Sequence, residues 1–182
     1  KPMCIGGVFG GLDSGVTENT TDIFIESACF HPTRIRRTAR RHGLSTDASF
    51  RYERGLDPNA CMYALKLAAL MVKELAGGEI CGEPTDIYPV KAEPWPVTLS
   101  YSYLNSLVGK EIPQDTVDSI LRSLEIETAA RRQGETDLLV PRYRVDVTRP
   151  CDVVEEVLRI YGYNNVEFTD TVHSSLQFKS HT

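Results

Sequence analysis

The sequence predicts an α+β fold arranged as two small modules. Its 182 residues, 41% hydrophobic and 25% charged, suffice for one or two packed cores. Segments with helical apolar spacing alternate with short runs rich in β-branched residues. A stretch carrying Pro84, Pro89, Pro94 and Pro96 has no lasting period of either kind and reads as a linker. These observations place a boundary near residue 92, with modules over 1–92 and 93–166 and a connection to a following domain starting at 167–182.

In the first module, glycines 6, 7, 10, 11 and 15 make a flexible opening, and Thr21 to Ala28 reads as a strand with Glu26 near its end. His31-Pro32-Thr33 is a helix entry, and a basic helix continues through Ile35 to His42 with Gly43 as its stop. A loop through Ser45 to Ser49 follows. Asp57-Pro58-Asn59 then opens the clearest helix, in which Met62, Leu65, Ala69, Val72 and Ala76 mark one apolar face before Gly77-Gly78.

The second module begins with a strand at Val97 to Ser100, then a short helix from Tyr101 to Val108 stopped by Gly109. Ile112-Pro113-Gln114-Asp115 starts another helix, whose Val117, Ile120, Leu121 and Leu124 fall at i, i+3, i+4 and i+7. Ile126–Ala130 and Leu138–Val140 pair as a hairpin across the polar stretch Arg131 to Thr136. A final helix over Pro150–Tyr161 turns Val153, Val154, Val157, Leu158 and Tyr161 inward and ends at Gly162. This order has the outline of a winged helix, which by itself does not imply nucleic-acid binding.

Composition narrows the function classes. No apolar run approaches the roughly 18 residues of a membrane span, and the opening Lys1-Pro2-Met3-Cys4 has neither an initiating Met nor the features of an export signal, so it reads as cut from a longer chain. Cys4, Cys29, Cys61, Cys81 and Cys151 are odd in number and scattered, without a CxxC pair, which argues for reduced thiols rather than a disulfide framework or zinc site. The net charge of −5 is uneven: residues 93–182 hold nine Lys/Arg against fourteen Asp/Glu. An acidic module is a poor autonomous binder of phosphate backbones.

Two constellations hold candidate chemistry. The first combines the Gly6 to Gly11 loop, Glu26, and Thr46-Asp47-Ala48 after the basic helix. The loop lacks the patterns of a nucleotide cradle, so it is a plain turn or a close backbone approach to a ligand. A carboxylate in an apolar run must be solvated, paired with one of Arg34, Arg36, Arg37, Arg40 and Arg41, or turned to a pocket. Those arginines coat a solvated face or meet phosphate oxygens. The second constellation is Asp146, Asp152, Glu155 and Glu156, of which the last three share a helical face. Carboxylate oxygens suit Mg²⁺, yet acidic residues also stabilise a helix start, and Glu155 stands at i, i+4 to Arg159. No histidine has spacing that favours a ligand or base role, and Trp95 reads as a packing anchor.

The motifs Gly7-Val8-Phe9-Gly10-Gly11, Phe24-Ile25-Glu26-Ser27-Ala28, Thr38 to Ser49, Arg51 to Pro58, Asp152 to Val157 and Tyr161 to Asn165 run nearly end to end, and in this order the chain resembles bacterial phenylalanyl-tRNA synthetase β chains. The resemblance implies that the first module is the C-terminal part of the B3/B4 editing module, α/β in class, and the second the winged-helix-like B5 domain. It implies that Gly7, Gly10, Glu26, Thr46 and Ala48 line a pocket that hydrolyses Tyr-tRNA-Phe, with a buried Glu26 recognising the tyrosine hydroxyl. It implies that Asp146, Asp152, Glu155 and Glu156 hold a Mg²⁺ shared with the α chain of an α2β2 tetramer.

The whole enzyme so implied is cytoplasmic and joins L-phenylalanine to tRNA-Phe with ATP in a site on the α chain. The expectation for this chain alone is no catalysis of either step. Two other readings stay open: a scaffold in which Glu26 is a salt-bridge partner, and a B5 module that itself contacts nucleic acid.

Overall fold

The structure, a computed structural model, describes residues 2–167 and separates into two compact units. The first holds the chain up to Pro96 together with a returning segment, Leu139–Thr148, and the second holds Val97–Leu138 and the chain from Arg149. The expected connection over 167–182 lies, apart from its first residue, outside the described residues.

The first unit starts with a minimal antiparallel pair, β1 (Cys4–Ile5) and β2 (Phe9–Gly10), joined through a turn in which the Val8 amide donates to the Ile5 carbonyl at 2.9 Å. Helix α1 (Pro32–His42) begins at its proline and ends where Gly43 enters the left-handed region at φ 64°. Only glycine does this at little cost, and the Leu44 amide then closes the end on the Ala39 carbonyl. Val8, Ile35 and Ala39 form the buried core, flanked by Phe30, Leu44 and Tyr52. Phe30 and Tyr52 meet edge to face with ring centres 4.9 Å apart.

Two expectations fail here. Thr21 to Ala28 is not a strand. Strand propensity needs a neighbouring ladder to satisfy its backbone groups, and among the described residues this segment has none. Conversely, the loop expected at Ser45 to Ser49 contains the start of a helix, α2 (Asp47–Tyr52). Its capping box pairs Thr46 with Ser49, where the usual sequence signal is Glu or Gln at the third position.

A 3-10 turn at Pro58–Ala60 leads into α3 (Cys61–Ala76). The expected inward face is the better covered one: Met62, Leu65, Ala69 and Val72 are half-buried, although Ala76 is exposed and no residue of α3 is fully buried. The proline stretch after it is irregular but held in place. Tyr88 donates its hydroxyl to Asn59 Oδ1 at 2.8 Å and accepts the Ala92 amide, while Asn59 Nδ2 donates to the Ala92 carbonyl.

The second unit follows the sequence closely. Its elements are β3 (Trp95–Ser100), α4 (Tyr101–Val108), α5 (Gln114–Ser123), β4 (Glu127–Arg132), β5 (Glu135–Val140) and α6 (Pro150–Tyr161), with sheet order β3-β5-β4; the first two residues of β3 and the last two of β5 fall within the first unit. The hairpin is longer and its turn tighter than expected, because Gly134 takes φ 80° and lets Gln133-Gly134 reverse the chain. Leu99, Leu104, Val117, Leu121, Leu138, Val153 and Val157 are all essentially buried, so α4, α5 and α6 share one core with the sheet. Each such side chain contributes about 1.5–3 kcal/mol by leaving water.

One polar cluster lies within this core. Tyr101 donates its hydroxyl to Asp118 Oδ1 at 2.8 Å, and Arg131 meets Asp118 Oδ2 at 2.6 Å from the surface side. Burial, followed by the hydrogen bond to Asp118, pushes the Tyr101 phenol up to about 12. The folded protein therefore keeps this proton when the unfolded chain has lost it. Stability is expected to hold below pH ~10 and then fall by up to about 1.4 kcal/mol per pH unit until the folded pKa is passed. Urea midpoints between pH 9 and 12 check this, and Tyr101→Phe should remove that share of the slope.

Candidate functional site

A cavity of about 430 Å³ in the first unit lies where the β1–β2 turn, the segment before α1 and the start of α2 come together. Gly7, Gly10, Glu26, Thr46 and Ala48 all line it, with Val8, Phe30, Asp47 and Tyr52 among its other walls. Separations of up to 41 residues in sequence are thus closed by the fold.

Thr46 ties the pieces together. Its hydroxyl donates to the Val8 carbonyl at 2.6 Å and accepts the Ser49 amide at 3.0 Å. Ser49 returns the favour, its Oγ accepting the Thr46 amide at 3.0 Å, and is only 3% exposed. Thr46 is accordingly a structural clamp that fixes α2 against the β1–β2 turn. The amides of Asp47 and Ala48, in the first turn of α2, have no intrahelical acceptor.

Gly7 is required by geometry. Its φ is +69°, and an added Cβ would stand 2.6 Å from Phe30 Cδ2 and 2.8 Å from Ile35 Cδ1. Gly10 differs, since a Cβ there meets nothing within 4 Å.

Glu26 lines the cavity but is exposed, which corrects the expectation of a buried carboxylate. The physical reason is the missing strand: outside a sheet, nothing covers its side chain. The alternative of a salt bridge is not realised either, because among the described residues no arginine pairs with Glu26, and Arg34, Arg36, Arg37, Arg40 and Arg41 are all exposed on α1. Tyr52, across the cavity, has its phenol pushed up chiefly by burial, with the charges of Cys61 and Glu26 adding to the shift. Tyr52 and Phe30 were not singled out from the sequence. Their place beside a glycine turn 20 to 45 residues upstream leaves no local signal.

The acidic constellation is arranged differently. Asp146 is exposed in the returning segment of the first unit. On α6, Asp152 accepts from Arg149 through both oxygens, at 2.8 and 3.1 Å, and caps the helix through the Arg149 amide at 2.9 Å. Glu156 is held by Arg159 at 2.7 Å, so the expected Glu155–Arg159 pair gives way to an i, i+3 pair. These hydrogen bonds raise the pKa of both arginines above the ordinary guanidinium range. Among the described residues no group of three or more His, Cys, Asp or Glu side chains stands where it could hold a metal ion.

All five cysteines are free thiols. Among the described residues no helix is long and apolar enough to cross a membrane.

Comparison with known proteins finds two family models along the chain. Residues 1–77 match the family model of the B3/4 domain, and residues 97–163 match that of the tRNA synthetase B5 domain. The chain is 62% identical over 179 residues to a phenylalanine–tRNA ligase beta subunit of Bacteroides thetaiotaomicron, covering 98% of this chain and 22% of that protein. Identity to the beta subunit of Porphyromonas gingivalis is 54% over 181 residues, and to that of Clostridium acetobutylicum 41% over 177, covering 100% and 97% of this chain and 22% of each relative. The chain thus spans about a fifth of the length of the curated relatives it matches. With two domain types in this order and identity running almost end to end, the chain belongs to the phenylalanine–tRNA ligase β-subunit family, of which it carries B3/4 and B5 sequence.

Proposed function

We propose that this chain serves a phenylalanine–tRNA ligase, the α/β enzyme that joins L-phenylalanine to tRNA-Phe with ATP, and that the cavity of the first unit takes part in hydrolysing tyrosine wrongly attached to that tRNA. The observation that carries this reading is the unpaired carboxylate of Glu26 on a cavity also lined by Gly7, Gly10, Thr46 and Ala48. An unpaired carboxylate accepts a phenolic O–H, which tyrosine has and phenylalanine lacks. The glycine turn admits a ligand close to the backbone, and the free amides of Asp47 and Ala48 are suited to the ester carbonyl oxygen. Ester cleavage needs only water as second reactant: the acyl–oxygen bond breaks, and tyrosine and the tRNA hydroxyl leave.

The exposed arginines of α1 suit tRNA phosphates and support the same reading. In this proposal the second unit contributes to assembly with the α chain. Mg²⁺ enters only in a narrow form. A cation on the acidic side of α6 would have to displace Arg149 from Asp152 or Arg159 from Glu156, or draw its remaining oxygens from the α chain.

The test is Glu26→Ala in the complete α/β enzyme. Because the carboxylate is exposed, one charge-assisted hydrogen bond at the low end of its range is at stake, so hydrolysis of Tyr-tRNA-Phe should slow about tenfold. Phenylalanine attachment should be unchanged. Unaltered hydrolysis would remove Glu26 from the recognition role.

A further inference from the structure

Helix α3 is apolar on nearly every side. Its charged side chains are Lys66, Lys73 and Glu74 alone, in sixteen residues. In a globular protein a helix apolar all round is covered all round, and α3 is not long and apolar enough to cross a membrane.

The chain covers one side of it. Met62, Leu65, Ala69 and Val72 are half-buried, whereas Tyr63, Leu67, Leu70, Met71 and Leu75 are 44% to 81% exposed. Ala64, Leu67, Met71 and Leu75 follow at i, i+3, i+7 and i+11, so they form one stripe along the helix with no charge in it. Tyr63 and Leu70 widen this face. Lys66 and Lys73, seven residues apart, stand together along its far edge, where their ammonium groups stay in water.

The first unit as a whole is short of interior. Val8, Ile35, Ala39, Val140 and Val147 are its buried hydrophobic side chains, and the shorter second unit buries three times as many. Exposure divides the opposite way. Among the described residues, every large exposed hydrophobic side chain except Tyr103, Leu107, Ile160 and Tyr163 belongs to the first unit. A unit of this length buries well over half of its chain's surface when it folds alone. The deficit therefore calls for a cover that folds together with the unit, since a partner that folds separately docks on a unit already holding a core of its own. The related β subunits are long enough to supply that cover, with roughly four-fifths of their length lying outside the stretch this chain matches.

We propose that the outer face of α3 packs against apolar side chains of β-subunit sequence outside residues 1–182, and so belongs to the interior of the B3/4 domain rather than to the surface of the enzyme. The inference rests on membership of the β-subunit family and not on the hydrolysis assigned to the cavity. It is tested in the complete α/β enzyme by placing a benzophenone photoprobe at Leu67, or at Lys66 on the far edge for comparison, and mapping the joined peptides by mass spectrometry after irradiation. Phenylalanine attachment shows that each preparation is assembled. The expected result is that the Leu67 probe joins a β-subunit peptide outside residues 1–182 within a single β chain, with a yield several-fold above that from Lys66. Joining to the α chain, to tRNA, to a second β chain or to residues 1–182 themselves, or no joining from Leu67, would overturn the proposal.

Leu67→Gln and Lys66→Gln give a second reading without the bulky probe. In the complete enzyme, amide hydrogen exchange along α3 should quicken about tenfold or more in Leu67→Gln, where a covered leucine is lost, and keep the parental rate in Lys66→Gln. Parental exchange in both variants would equally overturn it.

Discussion

Gly7→Ala is expected to destabilise the first unit by about 2–5 kcal/mol, a large part of the 5–15 kcal/mol typical of a whole domain. Two costs add. A left-handed residue with a Cβ is strained by about 1–2 kcal/mol. Forcing a methyl to within 2.6 Å of Phe30 and 2.8 Å of Ile35 is overpacking, which typically costs a further 1–3 kcal/mol. The neighbours have little freedom to yield. Ile35 is 5% exposed, and Phe30 is held edge-on against Tyr52, so a shift of Phe30 carries into the wall of the cavity both rings line. Urea unfolding of the variant beside the parent chain measures the loss. Gly10→Ala is the control, and since its Cβ meets nothing within 4 Å its midpoint should stay close to that of the parent.

Gly10→Leu should have the largest effect on the proposed hydrolysis while leaving the fold intact. Gly10 has no positive φ, so a side chain there carries no backbone strain, and open space surrounds the first carbon. Because Gly10 belongs to the cavity wall, a four-carbon side chain takes up room that a tyrosyl group requires. Misplacing a reacting ester by about 1 Å can cost on the order of a hundredfold in rate. Comparing the melting temperature of Gly10→Leu with that of Gly7→Ala separates occupation of the cavity from damage to the core.

Most helices were legible in the sequence because their signals are local. α1 is announced by Pro32 and ended by Gly43, α5 and α6 carry apolar residues at turn spacing, and Gly162 closes the last. The hairpin was legible from its polar turn, although only the left-handed Gly134 fixes the turn at two residues. What escaped depends on partners distant in sequence. Thr21 to Ala28 has the residues of a strand but no ladder to join, and Thr46 starts a helix with a serine in place of the expected acidic or amide side chain.

The same division holds for the site. Gly7, Gly10, Glu26, Thr46 and Ala48 came from long motifs shared with a family, and local chemistry alone left each of them with a structural explanation as good as a functional one. For Thr46 the structural explanation is realised, in its bonds to Val8 and Ser49. Phe30 and Tyr52 enter the cavity wall through tertiary packing that no spacing rule exposes. The return of Leu139–Thr148 to the first unit likewise has no marker in composition.

The central claim is that the cavity lined by Gly7, Gly10, Glu26, Thr46 and Ala48 acts in hydrolysis of Tyr-tRNA-Phe. Its most direct test is the rate of that hydrolysis by the complete α/β enzyme carrying Gly10→Leu, with phenylalanine attachment followed in the same preparation. The account predicts hydrolysis slowed by on the order of a hundredfold with attachment within about twofold of the parent enzyme. Hydrolysis at the parental rate in a folded, fully charging enzyme would contradict it.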